Sequence, residues 1–199
     1  MLTDAKKSFK LVIFGDPAVG KSSIMYQFIY NSFSSKYSPT INFNPDKANI
    51  RINNKLFLLK FLDTPNYNIC QTSTKTFKKA DFCILVYDIT KMTTFESLSI
   101  WKDMFLNKYK QRTRNFPFLV LGNKADKMAL REVDTAKAMK WCRDNGNMMF
   151  CEVSAGENFN IEKPFQDIVK KTIMDQKVDR DYMRDVNLRL RSHIKKAKE

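Results

Sequence analysis

The sequence is poor in the side chains that most often carry enzyme chemistry. It holds one histidine, His193, which lies close to the C-terminal end, so acid–base work by histidine is excluded from the body of the chain. The four cysteines, Cys70, Cys83, Cys142 and Cys151, show none of the spacings of a metal-ligand set. Cys83 and Cys151 fall inside apolar runs and are expected to be small buried hydrophobes rather than halves of a bridge, as in a reducing compartment. No apolar run approaches the roughly 18 residues of a membrane span. Residues 1–7 lack the apolar region of a secretory leader, so a cytoplasmic protein is expected. No zinc-finger or RNA-reading signature is present, and nucleic acid is not expected as a partner.

What remains is ordinary globular composition, 43% hydrophobic and 28% charged, in a length that suits one domain with a full core. Net charge is +14. Residues 177–199 hold eight Lys/Arg and four Asp/Glu, so +4 sits there and +10 is spread over the rest. A diffuse basic surface is a solvated one, with affinity for acidic membranes as a side effect.

The most informative stretch is Gly15-Asp16-Pro17-Ala18-Val19-Gly20-Lys21-Ser22-Ser23, which fits G-x-x-x-x-G-K-[ST]. Such a loop wraps backbone N–H groups around a nucleotide's phosphates. An apolar run, Phe9–Phe14, precedes it and reads as a buried strand. Ile24, Gln27/Phe28 and Ile29 follow at helical spacing, so a helix starts where its free N–H groups and positive dipole end favour an anion. Phosphate-facing donors are expected from Ala18, Val19, Gly20, Lys21, Ser22 and Ser23. Lys21 would reach the β- and γ-phosphates, and the Ser22 hydroxyl would ligate Mg²⁺.

Further along, residues 31–41 are polar and turn-forming. Ala48–Arg51 leads into an Asn53-Asn54 turn, predicting a hairpin whose second strand, 55–62, ends at Asp63. A carboxylate just past a buried strand suits a water-mediated Mg²⁺ contact, although a lone Asp there also serves to cap a turn. Phe82–Tyr87 and Phe118–Leu121 read as strands covered on both faces. An amphipathic helix is expected over 94–110 (Phe95, Leu98, Trp101, Phe105), a helix over 133–143 carrying Ala136, Met139 and Trp141, a last strand over 148–153, and a helix over 161–174 with Pro164 in its first turn. This alternation predicts an α/β fold with a mostly parallel six-stranded sheet and ligand loops at the strands' carboxyl ends.

One such loop reads Asn123-Lys124-Ala125-Asp126. Guanine presents N1–H and N2–H₂ as adjacent donors, and one carboxylate accepts both, a role for Asp126. Adenine would leave that acceptor unpaired at about 1–3 kcal/mol. The Lys124 stem can lie along the base, Asn123 can tie this loop to the phosphate loop, and the Ser154-Ala155-Gly156 loop can offer a backbone N–H to the base oxygen.

Together GDPAVGKSS, YSPTI, DT, NKAD and SA resemble the Ras-like small GTPases in order and approximate spacing over about residues 9–175. Within that family the chain is most similar to the Rab branch: LVYDIT at 85–90 is a Rab-type strand and turn, and FKKA at 77–80 stands where Y-[RK]-x-A is usual. The stretches 24–41 and 115–126, with AMKWC and FQDIV, look most like late-endosomal Rabs. The resemblance implies a GTPase domain over 1–176; residues 177–199, with Val186–Arg191 and Ile194, are expected to form a basic, helical tail in place of the family's usual flexible one. It implies GTP or GDP with Mg²⁺ as ligands, and a monomer whose switch regions meet effectors and exchange factors. It also implies that Phe33 packs on guanine, that Tyr37 closes over the phosphates, and that Thr40 joins Ser22 on Mg²⁺ and senses the γ-phosphate.

Two departures stand out. The family reads D-T-A-G-Q-E at its second switch; here it is Asp63-Thr64-Pro65-Asn66-Tyr67-Asn68. Asn66 keeps a backbone N–H for the γ-phosphate, but Tyr67 cannot orient a water as a carboxamide does, so no confident catalytic residue remains and slow hydrolysis is expected. Rabs also usually finish in prenylated cysteines, and this sequence ends RSHIKKAKE. A basic amphipathic segment alone gives weak, salt-sensitive contact with endomembranes. Three readings follow: a nucleotide switch in vesicle and endosomal traffic, a degenerate GTPase serving as a nucleotide-locked or nucleotide-independent interaction module, and, least favoured by Tyr67, an efficient hydrolase.

Overall fold

A computed structural model of the chain describes residues 8–33, 47–61, 80–109 and 116–178. Six strands form one sheet: β1 (Ser8–Phe14), β2 (Lys47–Ile52), β3 (Lys55–Phe61), β4 (Phe82–Asp88), β5 (Phe118–Asn123) and β6 (Met149–Glu152), in the order β2-β3-β1-β4-β5-β6. Only β2 and β3 pair antiparallel; the rest of the sheet is parallel. The predicted hairpin turns through Asn53 and Asn54 at φ of 46° and 60°, the left-handed backbone that asparagine tolerates and that twists in step with its strands. The helices are α1 (Lys21–Tyr30), α2 (Met92–Glu96), α3 (Leu98–Tyr109), α4 (Thr135–Asp144) and α5 (162–178), with a 3₁₀ turn at Ala125–Leu130.

The sheet divides the core in two. On one face α1 and α5 cover Phe9, Leu11, Ile13, Ile50, Leu59 and Ile84, with Phe28 of α1 stacked on Phe165 of α5 at 4.2 Å. On the other, α2, α3 and α4 cover Val12, Phe14, Leu85, Tyr87 and Val120. Because β1 lies between β3 and β4, the chain reverses its lateral progress there, and a crevice opens at the carboxyl ends of β1 and β4.

Several expectations need correcting. The single helix predicted over 94–110 is two, α2 and α3, parted at Ser97, whose N–H and hydroxyl both go to the Thr93 carbonyl, at 3.1 and 3.0 Å. The helix expected from 133 starts at Thr135, because the N–H groups of Glu132 and Val133 both go to the Ile89 carbonyl. Its buried face is Ala138 and Cys142; Ala136 and Met139 are exposed and Trp141 is half-buried. Cys151 is half-buried, whereas Cys83 and Cys142 are fully so, and burial pushes the Cys142 thiol up to about 12. The last strand is shorter than 148–153 at four residues, and the last helix runs past 174 to 178.

One row of the sheet is electrostatically costly. Lys60 of β3 stands directly opposite Lys47 of β2 and, on its other side, Lys10 of β1. Like charges so placed repel; neither 8–14 nor 47–61 contains a carboxylate, and one enters from beyond them, Asp81, whose Oδ2 accepts the backbone N–H of Lys10 at 2.8 Å.

The packing makes a simple forecast. Phe165 of α5 is fully buried against α1, so Phe165→Ala should cost about 3–5 kcal/mol in urea unfolding. Met174, on the same helix but 65% exposed, should change stability by no more than about 0.5 kcal/mol as Met174→Ala. Equal effects would contradict the described packing.

Candidate functional site

Three loops meet above the carboxyl ends of β1, β5 and β6, and one side chain joins them. Asn123, at the end of β5 and buried, donates through Nδ2 to the Val19 carbonyl at 2.8 Å and accepts at Oδ1 from the Ala155 N–H at 3.2 Å. The tie of the N-K-x-D loop to the phosphate loop is therefore present in the geometry. Of the backbone N–H groups that the Ser154-Ala155 stretch could offer a base oxygen, that of Ala155 here goes to Asn123.

The phosphate loop follows β1 in a sequence of unusual backbone. Gly15 has φ of +147° and Gly20 of +98°, and Ala18 is left-handed at +62°. A Cβ on Gly20 would stand 2.1 Å from Asn123 Nδ2. Glycine is required there both by the dihedral and by the close approach of the asparagine. Gly20 precedes α1, whose first turn contains no acidic residue, so its N–H end faces the loop without a competing negative charge. Lys21 folds its ammonium back onto the carbonyls of Gly15 and Asp16, 2.8 Å from each. Burial lowers its pKa to about 8, against the opposing pull of the Asp16 carboxylate. Ser22 and Ser23 follow in the first turn of the helix.

The N-K-x-D residues are held by acids and hydroxyls. Lys124 is left-handed at φ of +68°, and its ammonium lies 2.6 Å from Asp88 at the end of β4. Burial pushes the Asp88 carboxyl up, but hydrogen bonds from Lys124 and from the N–H and hydroxyl of Thr90 outweigh it and hold it below the usual range. Asp126 is exposed, and its Oδ1 accepts from the Ser154 hydroxyl at 2.5 Å. Phe33 stands half in solvent, its ring 3.7 Å from where a Cβ on Gly156 would lie, which puts an aromatic face beside the same loop. The structure thus brings together the residues from Ala18 to Ser23, Phe33, Asn123, Lys124, Asp126 and Ser154–Gly156. Tyr37, Thr40, Asp63, Asn66 and Tyr67 lie outside the described residues.

Sequence reasoning missed Asp88 and Trp101. The first was readable only as part of a strand; the second donates its indole Nε1–H to Asp16 at 2.7 Å from 85 residues away. Among the described residues no group of three or more His, Cys, Asp or Glu is placed to hold a metal, and Ser22 is the one expected Mg²⁺ ligand that falls within them.

Two glycines with similar backbone separate strain from clash. Gly146 has φ of +103°, and a Cβ added there would meet nothing within 4 Å. Gly146→Ala should therefore cost only the dihedral, about 1–2 kcal/mol. Gly20→Ala should cost more in the same urea titration, because Asn123 must also yield. If the two variants unfold at the same denaturant concentration, the Gly20–Asn123 contact is not what fixes the loop.

Comparison with known proteins agrees with this geometry. The sequence model of the Ras family matches residues 10–174. The chain is 39% identical over 179 residues to Ras-related protein Rab-7a of Paramecium octaurelia, covering 89% of this chain and 87% of that one. It is 36% identical over 189 residues to Ras-related protein Rab7A of Mesembryanthemum crystallinum, covering 93% and 91%. It is 37% identical over 175 residues to Ras-related protein Rab-7a of Dictyostelium discoideum, covering 87% and 86%. With most of its length matched and a phosphate loop tied to an N-K-x-D loop on a mostly parallel sheet, the chain belongs to the Ras family of small GTPases, in the Rab branch beside the Rab7 proteins.

Proposed function

We propose that this chain is a guanine-nucleotide switch of the Rab type, acting in late-endosomal and vesicle traffic with slow intrinsic GTP hydrolysis. The observation that carries the reading is the Asn123 bridge: it sets the loop that reads phosphate and the loop that reads the base at a fixed distance. Base choice falls to Asp126, which Ser154 orients through one oxygen. Lys124 is fixed by Asp88 so that its stem flanks the base. Phe33 covers the same slot. The loop N–H groups from Ala18 to Ser23 and the Lys21 ammonium would take the phosphates.

Ser22, with Thr40 and, through water, Asp63, would hold Mg²⁺. When bound, the ion neutralises phosphate charge and helps order the first switch loop. Tyr37 and Thr40 would close the first switch on the γ-phosphate, and Asn66 would offer it a backbone N–H. Tyr67, in place of a water-orienting glutamine, leaves the attacking water unpositioned. Effectors and exchange factors would meet the switch regions of a monomer whose membrane contact is weak or indirect. The same Tyr67 favours a second reading, a nucleotide-locked or nucleotide-independent interaction module. A partner set that is the same with GDP and with a GTP analogue would select it.

Denaturing the purified protein and identifying the released nucleotide by chromatography is the direct test. GTP is the expected product of a working site with crippled turnover; a protein that carries no nucleotide would refute nucleotide dependence. Asp126→Asn should shift preference from guanine towards xanthine, whose donor and acceptor are exchanged, and an unaltered base preference would remove Asp126 from the base site.

Lys21 supplies a pH test. Only its protonated form attracts phosphate, and the nucleotide-free site loses that charge as pH rises through about 8. GDP affinity, followed by calorimetry from pH 7 to 8.5, should weaken by about fourfold while guanosine affinity stays level. The same shift has the opposite sign for folding. Between about 8 and the ordinary lysine value of 10.5, the unfolded chain binds the proton that the folded one has lost, so stability without nucleotide gains from this group as pH rises.

A further inference from the structure

A phosphate-binding loop is an unfavourable place for a carboxylate, because like charge at close range repels in a partly buried site. Asp16 is nevertheless the second residue of this one. Its side chain does not stand loose: Oδ1 accepts the indole Nε1–H of Trp101, on α3, at 2.7 Å. The indole is itself fixed. It stacks on Phe14, the last residue of β1, with ring centres 5.8 Å apart and planes 15° from parallel. Phe14 in turn packs against Phe105, one turn further along α3, at 6.1 Å. Meanwhile the backbone carbonyl of Asp16, with that of Gly15, receives the Lys21 ammonium. Asp16 is thus gripped at both ends, by α3 through its side chain and by Lys21 through its main chain.

We infer that Trp101 is a positioning residue of the nucleotide site. By holding Asp16 it sets the pair of carbonyls that aims Lys21, and it gives the carboxylate a partner on α3 so that the charge does not swing towards bound phosphate. The inference rests on the proposal that this loop takes a nucleotide's β-phosphate. Its chemistry is that of an outer hydrogen bond that orients an inner ligand, where loss of the outer partner weakens binding without removing any group that touches the ligand.

The test uses the full chain loaded with a fluorescent GDP derivative, and release is followed after adding excess unlabelled GDP. Trp101→Phe keeps the aromatic stack on Phe14 and removes only the N–H donor. Release should become about tenfold faster, the size expected for losing a hydrogen bond to a charged group. Affinity for GMP, which has no β-phosphate for Lys21 to meet, should stay within about twofold. Asp16→Ala should also release GDP faster, and the double variant should be no faster than the faster of the two single ones, since both break the same link. Asp16→Asn keeps an acceptor for the indole and should release GDP more slowly than Asp16→Ala.

Unchanged GDP release in Trp101→Phe would overturn the inference, as would parallel loss of GMP, which would mean a general loosening of the pocket, or additive effects in the double variant. An unaltered chain that holds no GDP would instead overturn the nucleotide reading beneath it, and the two failures are told apart by that control.

Discussion

The site depends on the carboxamide of Asn123, a small group with two tasks. A buried amide must find partners for both its N–H₂ and its oxygen, and here the partners come from two different loops, the Val19 carbonyl and the Ala155 N–H. Remove the carboxamide and each partner is left unpaired in a buried setting, at about 1–3 kcal/mol apiece. The neighbouring backbone has been shaped to admit it: only a residue without a Cβ lets the phosphate loop approach so closely at position 20. The sheet supplies the other half of the constraint. Asn123 pairs in register with Asp88, so the strand that carries the bridge and the strand that carries the acid are fixed side by side.

The two lysines of the site are treated in opposite ways, and the difference sorts their roles. Lys124 faces a buried carboxylate whose other hydrogen-bond donors, among the described residues, are the neutral N–H and hydroxyl of Thr90, which commits the ammonium to that partner. Lys21 is offered carbonyl oxygens, neutral partners that attract the charge without cancelling it. The first is a strut. The second keeps its charge for an incoming anion, and burial makes that charge easier to lose when no anion is there.

Much of this was legible beforehand because it is local. Phe82–Asp88 is buried at every position, and strands covered on both faces leave a continuous apolar run that needs no partner to be recognised. The Asn53-Asn54 turn is written in two residues that accept left-handed backbone. The phosphate and N-K-x-D loops could be read from spacing alone, since their chemistry is carried by residues a few positions apart. What escaped was non-local or small. Which face of α4 turns inward was not legible: Ala138 and Cys142 are buried, Trp141 packs partly against the same core with its ring 6.0 Å from that of Phe95, and Met139 is exposed. The break at Ser97 is one residue long, and the spacing of the apolar residues does not mark it. Asp16 and Trp101, and likewise Lys124 and Asp88, are brought together only by the register of the sheet and the packing of α3 on it.

The file of lysines across β1, β3 and β2 has a consequence for the solvent. Three ammonium groups in adjacent strands, met at one end by the Asp81 carboxylate beside Lys10, leave an excess of positive charge that raises the local potential and gathers anions from solution. Folding brings these charges closer than they are in the open chain, so the folded state holds the denser ion cloud. For this part of the sheet, dissolved salt therefore acts as a component of the structure: it screens the repulsion and favours the assembled edge, the reverse of what it does to a protein whose surface charges are paired.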